Sequence, residues 1–459
     1  MRTWAGILVV FLAALSQAPK AAGGEPKTMN VTIDTRAVAC KSFIGFGAEW
    51  DPASYDLCGV TDKDFALIEK RIRLMKLRAA RIMILGKWCV PQAGRIDWNT
   101  RAMQRLYRHL DVCQKLGITV FLTDWGSVRN WVKIPGVKDT ADPKYAELIG
   151  TYLDHLVSRR KYTCIKHFIL VNEPNFEAGG WGPWKKGIEN VAAVLAKRKL
   201  DRRITLTGPD HSNADAWLYR AVDQLSGVLG AYDVHRYAND RNVRVGGLEG
   251  YFRKQWDYAK KHDAKAAGKP FIVGEAGMND GAYGPRGNRN IDKHWYGVFM
   301  ADYAAQATAA GSSAVMAWML DDNSHQGFAW GLWSNKKNGL KLRPWAYPWT
   351  LLCRYVPPGA TVYRVKSPSR EVRLLAAKTP NGGWTLCAVN RGTRAARVVI
   401  RVPGAKPAAF RRYVYSAKSS TKDQDGFPIA TDTRRLGLAA GAGLTCPANG
   451  VVMLTSVPD

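Results

Sequence analysis

From Phe43 to Trp318 the chain alternates short apolar runs with longer stretches whose apolar residues recur every three or four positions. The runs are Phe43–Ala48, Ala80–Leu85, Thr119–Thr123, His167–Asn172, Ile204–Gly208, Tyr232–His235, Pro270–Gly274 and Ser313–Trp318. Short runs without polar alternation predict strands buried on both faces, the form that parallel sheets take. The stretches between them predict amphipathic crossover helices. Thr61 followed by Asp64 reads as a capping box that opens one of these helices. Phe65, Ile68, Ile72 and Met75 then form one apolar stripe, with Lys and Arg on the other face. Gln104–Leu116 and Tyr145–Leu156 repeat the pattern. Eight such units predict a closed (β/α)8 barrel, over a span close to the ~250 residues typical of that fold. An open doubly wound sheet is the competing arrangement, but no Gly-rich phosphate loop follows the first run.

Past Pro348 the texture changes. Ala360–Val365, Val372–Ala377, Trp384–Val389, Arg397–Val402, Phe410–Tyr415 and Gly450–Thr455 are short, rich in Val, Tyr and Leu, and punctuated by Gly, Pro and Asn. No helical period separates them, which predicts an antiparallel β-sandwich. Thr28–Val38 also alternates like a strand and is a candidate to pair with the sandwich. At the other end, Met1-Arg2 is followed by the uncharged apolar stretch Trp4–Leu15 and then small residues. That layout predicts a signal peptide, too short to be a comfortable membrane span, and hence a secreted or periplasmic protein. The expected organisation is a signal peptide at 1–24, a catalytic barrel at 25–349 and a sandwich at 350–459.

Charge alters this picture little. Lys and Arg outnumber Asp and Glu by 67 to 38, giving a formal charge of +29. The basic residues are spread along the whole chain, so a solvated basic surface is expected rather than a nucleic-acid site. Attraction to an acidic polysaccharide or to the cell envelope is the sharper alternative. The eight cysteines contain no CxxC pair, which argues against a zinc ribbon or a thioredoxin-like pair, and no disulfide is assigned.

Chemistry is expected where polar residues end an apolar run, because barrels of this type carry their active site at the C-terminal ends of the strands. Two acids stand out. Glu173 follows the fourth run in Leu170-Val171-Asn172-Glu173-Pro174-Asn175, and Glu275 follows the seventh in Val273-Gly274-Glu275. Paired carboxyls at one mouth suit glycoside hydrolysis, in which one group protonates the leaving oxygen while the other faces the anomeric carbon ionised.

These two segments resemble the catalytic strand ends of clan A glycoside hydrolases. Four other positions agree in order. Arg81 resembles the clan's arginine that holds the nucleophile, His235 and Tyr237 resemble its His-x-Tyr pair, and Trp318 resembles its platform tryptophan. The resemblance implies a retaining β-glycosidase with Glu173 as acid/base and Glu275 as nucleophile. It places Asn172 on the sugar 2-hydroxyl, His235 among the polar groups around the acid/base, and Arg81 and Tyr237 on the nucleophile. It implies no cofactor and no metal. Family 5 members usually place a histidine at the end of the third strand, where this chain has Thr123-Asp124-Trp125. The segment Gly45-Phe46-Gly47-Ala48-Glu49-Trp50 and the sandwich also resemble families 39 and 30, so the chain resembles families 5, 39 and 30 within the clan.

Glu49, Asp124 and Trp125 are then candidate substrate contacts, and a third acid near the mouth could equally be a partner for Arg81. Among the 17 tryptophans, Trp181 and Trp184, just after Glu173 among glycines, are the best subsite candidates, since flat indoles pack on the C–H faces of sugars. Trp88, Trp131, Trp330 and Trp333 fall in strand-to-helix loops, and Asp321, Asp322, Asn323 and His325 follow Trp318. The expected partner is a polysaccharide or oligosaccharide, with acidic polymers among the candidates and no nucleic acid. The competing function classes are a carbohydrate-binding barrel without catalysis and a cell-envelope protein held by charge.

Overall fold

The computed structural model describes residues 28–459, so the expected signal peptide lies outside the described residues. Two short strands open it, β1 (Thr28–Thr32) and β2 (Val38–Cys40). Eight parallel strands then close into a barrel in chain order. They are β3 (Gly45–Glu49), β4 (Ala79–Ile84), β5 (Thr119–Asp124), β6 (Ile165–Ile169), β7 (Thr205–Ser212), β8 (Ala231–Ala238), β9 (Phe271–Met278) and β10 (Ala314–Ala317). The helices that follow successive strands are α1 (Asp62–Met75), α2 (Arg101–Leu116), α3 (Pro143–Leu153), α4 (Pro174–Glu177) with α5 (Trp181–Lys197), and α6 (Asp215–Leu225). Then come α7 (Asp240–Arg244) with α8 (Gly247–His262), α9 (His294–Ala310) and α10 (Ala346–Tyr355). None of the described helices is long and apolar enough to cross a membrane.

Strand periodicity sorts the side chains. Ala79 points inward and fills the barrel with Phe121, Ile169, Ala231, Ile272, Ala314 and Met316, whereas Ala80, Ile82 and Ile84 face the helices. Gly47 is required where β3 meets β4, since a Cβ there would lie 2.1 Å from the Ala79 carbonyl oxygen. The capping box forms as expected: the Thr61 hydroxyl accepts from the Asp64 amide, and the Asp64 carboxylate accepts from the Thr61 amide. Phe65, Ile68, Ile72 and Met75 are all buried beneath it.

The last part of the chain forms β11 (Thr361–Tyr363), β12 (Val372–Lys378), β13 (Trp384–Asn390), β14 (Ala396–Arg401), β15 (Ala408–Tyr415), β16 (Asp432–Leu436), β17 (Ala442–Cys446) and β18 (Gly450–Thr455). A seven-stranded sheet runs β16-β15-β18-β13-β12-β11-β2, and a three-stranded sheet runs β1-β14-β17. Their facing surfaces share a core that includes Val31, Leu374, Leu386, Val398, Ile400, Leu444 and Val452. The first described residues therefore do join the sandwich, one strand in each sheet.

Three elements differ from expectation. β16 is too polar, and β17 too interrupted by Gly and Thr, to stand out as an apolar run. Helix α10 straddles Pro348, where the sequence texture changes to strands. The eight cysteines are all free and buried, packing as small hydrophobes.

Candidate active site

The barrel mouth is organised by Arg81, which β4 carries into the interior with no exposed surface. Its guanidinium donates to Glu275 Oε1 at 2.8 Å, to Asn172 Oδ1 at 2.8 Å and to Asp210 Oδ2 at 2.8 Å. One buried cation thus ties together the ends of β6, β7 and β9. A guanidinium suits this position because its fork of donors is fixed in direction and never deprotonates.

Glu275 sits on β9 and is 4% exposed, in contact with the cleft. Its Oε2 accepts from the Tyr237 hydroxyl at 2.7 Å. Burial pushes this carboxyl above its usual range and Glu173 adds to the effect, while His235, Arg81 and the Tyr237 hydroxyl oppose it. Burial and Glu275 together hold the tyrosine hydroxyl well above its usual range, so it remains a donor.

Glu173 lies beyond the end of β6, which stops at Ile169 rather than continuing to Asn172. The chain then turns through left-handed backbone at Val171 (φ 69°) and Glu173 (φ 42°). Such angles cost about 1–3 kcal/mol per residue and persist only where the surroundings impose them. Here the Trp184 indole donates to the Leu170 carbonyl at 2.9 Å, and the Asn172 amide donates to the Asp124 carbonyl at 2.8 Å. The Glu173 amide also donates to Asp210 Oδ2 at 3.3 Å. These bonds hold the turn that brings Asn172 and Glu173 to the mouth, and Pro174 then opens α4 at a position where its missing N–H is no loss.

His235 joins the two carboxyls. Its Nδ1 lies 3.1 Å from Glu173 Oε1 and 3.6 Å from Glu275 Oε2, and its Nε2 lies 2.9 Å from Asp210 Oδ1. A register shift between Val234 and His235 sets this residue opposite Glu275 across the β8–β9 pair. Burial disfavours the imidazolium, but Asp210 and Glu275 outweigh it and hold His235 well above the usual imidazole range. The ring therefore donates from both nitrogens. Ligand atoms of Glu173, His235 and Glu275 lie within 4.8 Å of one another.

Asp210 was not among the expected site residues, yet it carries much of this geometry. Burial opposes its charge, but Arg81 and His235 overcome that and hold it below the usual carboxylate range. Next to it, burial and the Asp210 charge push Asp233 well above that range. The sequence signal for Asp210 is a polar residue directly after Gly208-Pro209 at the end of the fifth strand. The expected strand ended at Gly208, but β7 continues to Ser212 through a register shift, with φ of 60° at Asp210.

The cleft above these groups has a volume of about 360 Å³. Trp125, Trp318, Phe328 and Trp330 form its aromatic walls, and Asn172, Glu173, Tyr237 and Glu275 its reactive side. Glu177, Asn213 and Asn279 also line it and had no distinguishing sequence signal.

Four expected contacts stand elsewhere. Trp184 is wholly buried, its indole satisfied by the Leu170 carbonyl. Trp181 packs against Trp184 and Trp217 instead of lining the cleft. Asp124 is buried behind Trp125, where its carboxylate accepts from Tyr145 and from the Gly86 and Gly126 amides. Glu49 is fully buried beside the cleft and does not line it. Glu49 and Asp124 are turned into the core by their strands, Trp184 is buried by helix α5, and Trp181 stays half-buried on that helix.

A closed eight-stranded barrel with two glutamates converging at the ends of its fourth and seventh strands defines a glycoside hydrolase of clan A. A family model for cellulase (glycosyl hydrolase family 5) matches residues 67–339, and the chain belongs to this family. No curated protein matches it in sequence. Among solved structures, the chain is similar to a family 30 subfamily 8 xylanase from Clostridium acetobutylicum, at 16% identity and a TM-score of 0.66, covering 93% of this chain and 99% of that one. It is likewise similar to a monomeric β-xylosidase from Caulobacter crescentus CB15, at 16% identity and a TM-score of 0.63, covering 93% and 99%. An α-L-arabinofuranosidase from Thermotoga maritima aligns at 13% identity and a TM-score of 0.62, over 93% and 99%. At such identities these structures share the fold.

Proposed function

We propose that the protein is an exported retaining β-glycosidase that cleaves a β-linked polysaccharide or oligosaccharide by double displacement. The observation that carries this reading is the approach of Glu173 and Glu275 to within 4.8 Å, with unequal surroundings. Retaining enzymes place their two carboxyls about 5–5.5 Å apart, whereas inverting enzymes need about 6.5–9.5 Å for an intervening water.

In the first step the Glu275 carboxylate attacks the anomeric carbon while Glu173 gives its proton to the departing glycosidic oxygen. Arg81 and the Tyr237 hydroxyl fix the orientation of Glu275. Asn172, held by Arg81, presents its amide to the sugar 2-hydroxyl. In the second step Glu173 takes a proton from water, which attacks the same carbon and releases Glu275. Trp318, on the cleft wall, offers the sugar a flat apolar face.

Glu173, Glu177 and Glu275 line the cleft, with no Lys or Arg among its described lining residues. That charge favours a neutral sugar at the cleaved bond, and the names xylanase and β-xylosidase of two structural neighbours make a β-linked xylose substrate the first candidate. Export rests on the leader-like segment from Met1 to Gly24. The test is release of reducing sugar from a panel of neutral and acidic β-glycans, run beside Glu173→Gln and Glu275→Gln. Turnover with retained anomeric configuration, abolished in Glu275→Gln, is the expected result. Binding without turnover by the unmodified protein would overturn the reading in favour of a non-catalytic carbohydrate-binding barrel.

A further inference from the structure

Beside the cleft lies a second cluster that hydrolysis does not use. Glu49 ends β3, Asp51 follows it, and His325 sits on the loop after β10. His325 Nε2 is 3.3 Å from Asp51 Oδ2 and 3.6 Å from Glu49 Oε1, and one ligand atom from each residue lies within 4.8 Å of the others. Glu49 and Asp51 have no exposed surface. Among the described residues, both oxygens of Glu49, Oδ2 of Asp51 and Nε2 of His325 have no hydrogen-bond partner. Leaving several polar atoms of carboxyl groups buried and unpaired is expensive, and such groups are ordinarily paired or bound to a metal.

We propose that Glu49, Asp51 and His325 form a binding site for one divalent transition-metal ion, with Zn²⁺ the best fit. A tetrahedral zinc site with bonds of about 2.0–2.2 Å has ligand–ligand edges of about 3.3–3.6 Å. The two distances to His325 Nε2 fall on that edge length before any adjustment. Two carboxylates and one imidazole neutralise a divalent charge and leave a fourth position. A sugar does not compete for this site, because neither carboxylate reaches the cleft surface.

Among the described residues, the two other clusters of comparable tightness both include His235. Both nitrogens of that ring are already engaged, Nδ1 with Glu173 and Nε2 with Asp210.

The ion joins the end of β3 to the loop that follows Trp318. The His325 ring stacks on Trp318 with centroids 5.3 Å apart, and the Leu320 amide donates to the Glu49 carbonyl at 2.7 Å. Its role is to hold one wall of the cleft in place. It takes no part in bond breaking, and its binding is measurable without turnover, so the proposal stands or falls separately from the hydrolytic reading.

The test uses the full chain, stripped by dialysis against EDTA and titrated with Zn²⁺ against a chromogenic chelator. One Zn²⁺ per chain is expected, with an accompanying rise in Tm. Asp51→Asn and His325→Gln should each weaken binding at least about tenfold, the smallest loss seen when even an outer partner of a metal ligand is removed. His294→Gln, on a histidine outside the cluster, should leave binding unchanged. Failure of the stripped protein to take up zinc, or tight uptake that persists in either folded variant, overturns the proposal. The His325 variant, on a surface-reaching loop, keeps the test decisive if Asp51→Asn does not fold.

Discussion

Arg81 and His235 are two buried cations whose neutralisation depends on a few carboxylates. Asp210 serves both, accepting from Arg81 at 2.8 Å and from His235 at 2.9 Å. Replacing Asp210 by Asn removes a negative charge from a site closed to water and leaves two cations partly uncompensated. Breaking a buried pair in this way costs about 3–5 kcal/mol. Asp210→Asn is therefore expected to lower unfolding stability by that amount in denaturant melts, while lowering turnover as His235 loses its anchor. A loss below about 1 kcal/mol, the scale of an exposed pair, would show that Asp210 does not hold this network.

At the scale of elements, close approach between adjacent strands sets the reactive side of the cleft. Tyr237 on β8 lies flat against Gly277 on β9, where a Cβ would come within 2.8 Å of two ring carbons. The absent side chain lets the tyrosine hydroxyl reach Glu275 at 2.7 Å. Gly277→Ala should shift the ring and lower kcat/KM by about a hundredfold, the effect of a misplacement near 1 Å. Stability should fall by only about 1–3 kcal/mol, as for an overpacked core. Adding Tyr237→Phe to Gly277→Ala should cost little more activity, because both remove the same contact. Additive losses in the double mutant would disconnect the glycine from the tyrosine.

Over the whole molecule, one face of the seven-stranded sheet shares a core with the outside of the barrel, apart from the core between the two sheets. Helix α9 is buried along nearly its full length because it lies between the barrel and the seven-stranded sheet, touching β9 and β10 on one side and β2, β12, β13 and β18 on the other. A helix with apolar residues on every face is one enclosed on all sides, and its buried Asp302 and Gln306 are paired with each other within that enclosure. Inside the barrel, His167 stacks on Phe121 with ring centroids 4.2 Å apart, and burial pushes it down to about 3. A base whose folded value is depressed stabilises the fold fully above its unfolded value near 6.5, and loses that contribution as pH falls toward the folded value. Relative to the native protein, His167→Gln should lose less stability between pH 6.5 and 4, by up to on the order of 1.4 kcal/mol per pH unit. Parallel stability curves for the two proteins over that range would refute a neutral buried His167.

The barrel, its helix faces and the two glutamates were legible in the sequence because each rests on a local pattern: buried runs, a 3.6-residue stripe, an acid ending a strand. The capping box at Thr61 and the stripe from Phe65 to Met75 needed no information from elsewhere in the chain. Asp210, Asp233 and the Glu49–Asp51–His325 cluster did not show, because their meaning lies in which strand ends meet across the mouth. Trp184 is the converse case. It had the residue type and the place of a sugar platform, but the turn after Ile169 drew it inward to satisfy the Leu170 carbonyl. Local pattern determined which residues could do chemistry. Closure of the barrel decided which of them face one another, since charge, burial and distance at the mouth come from residues far apart in the chain.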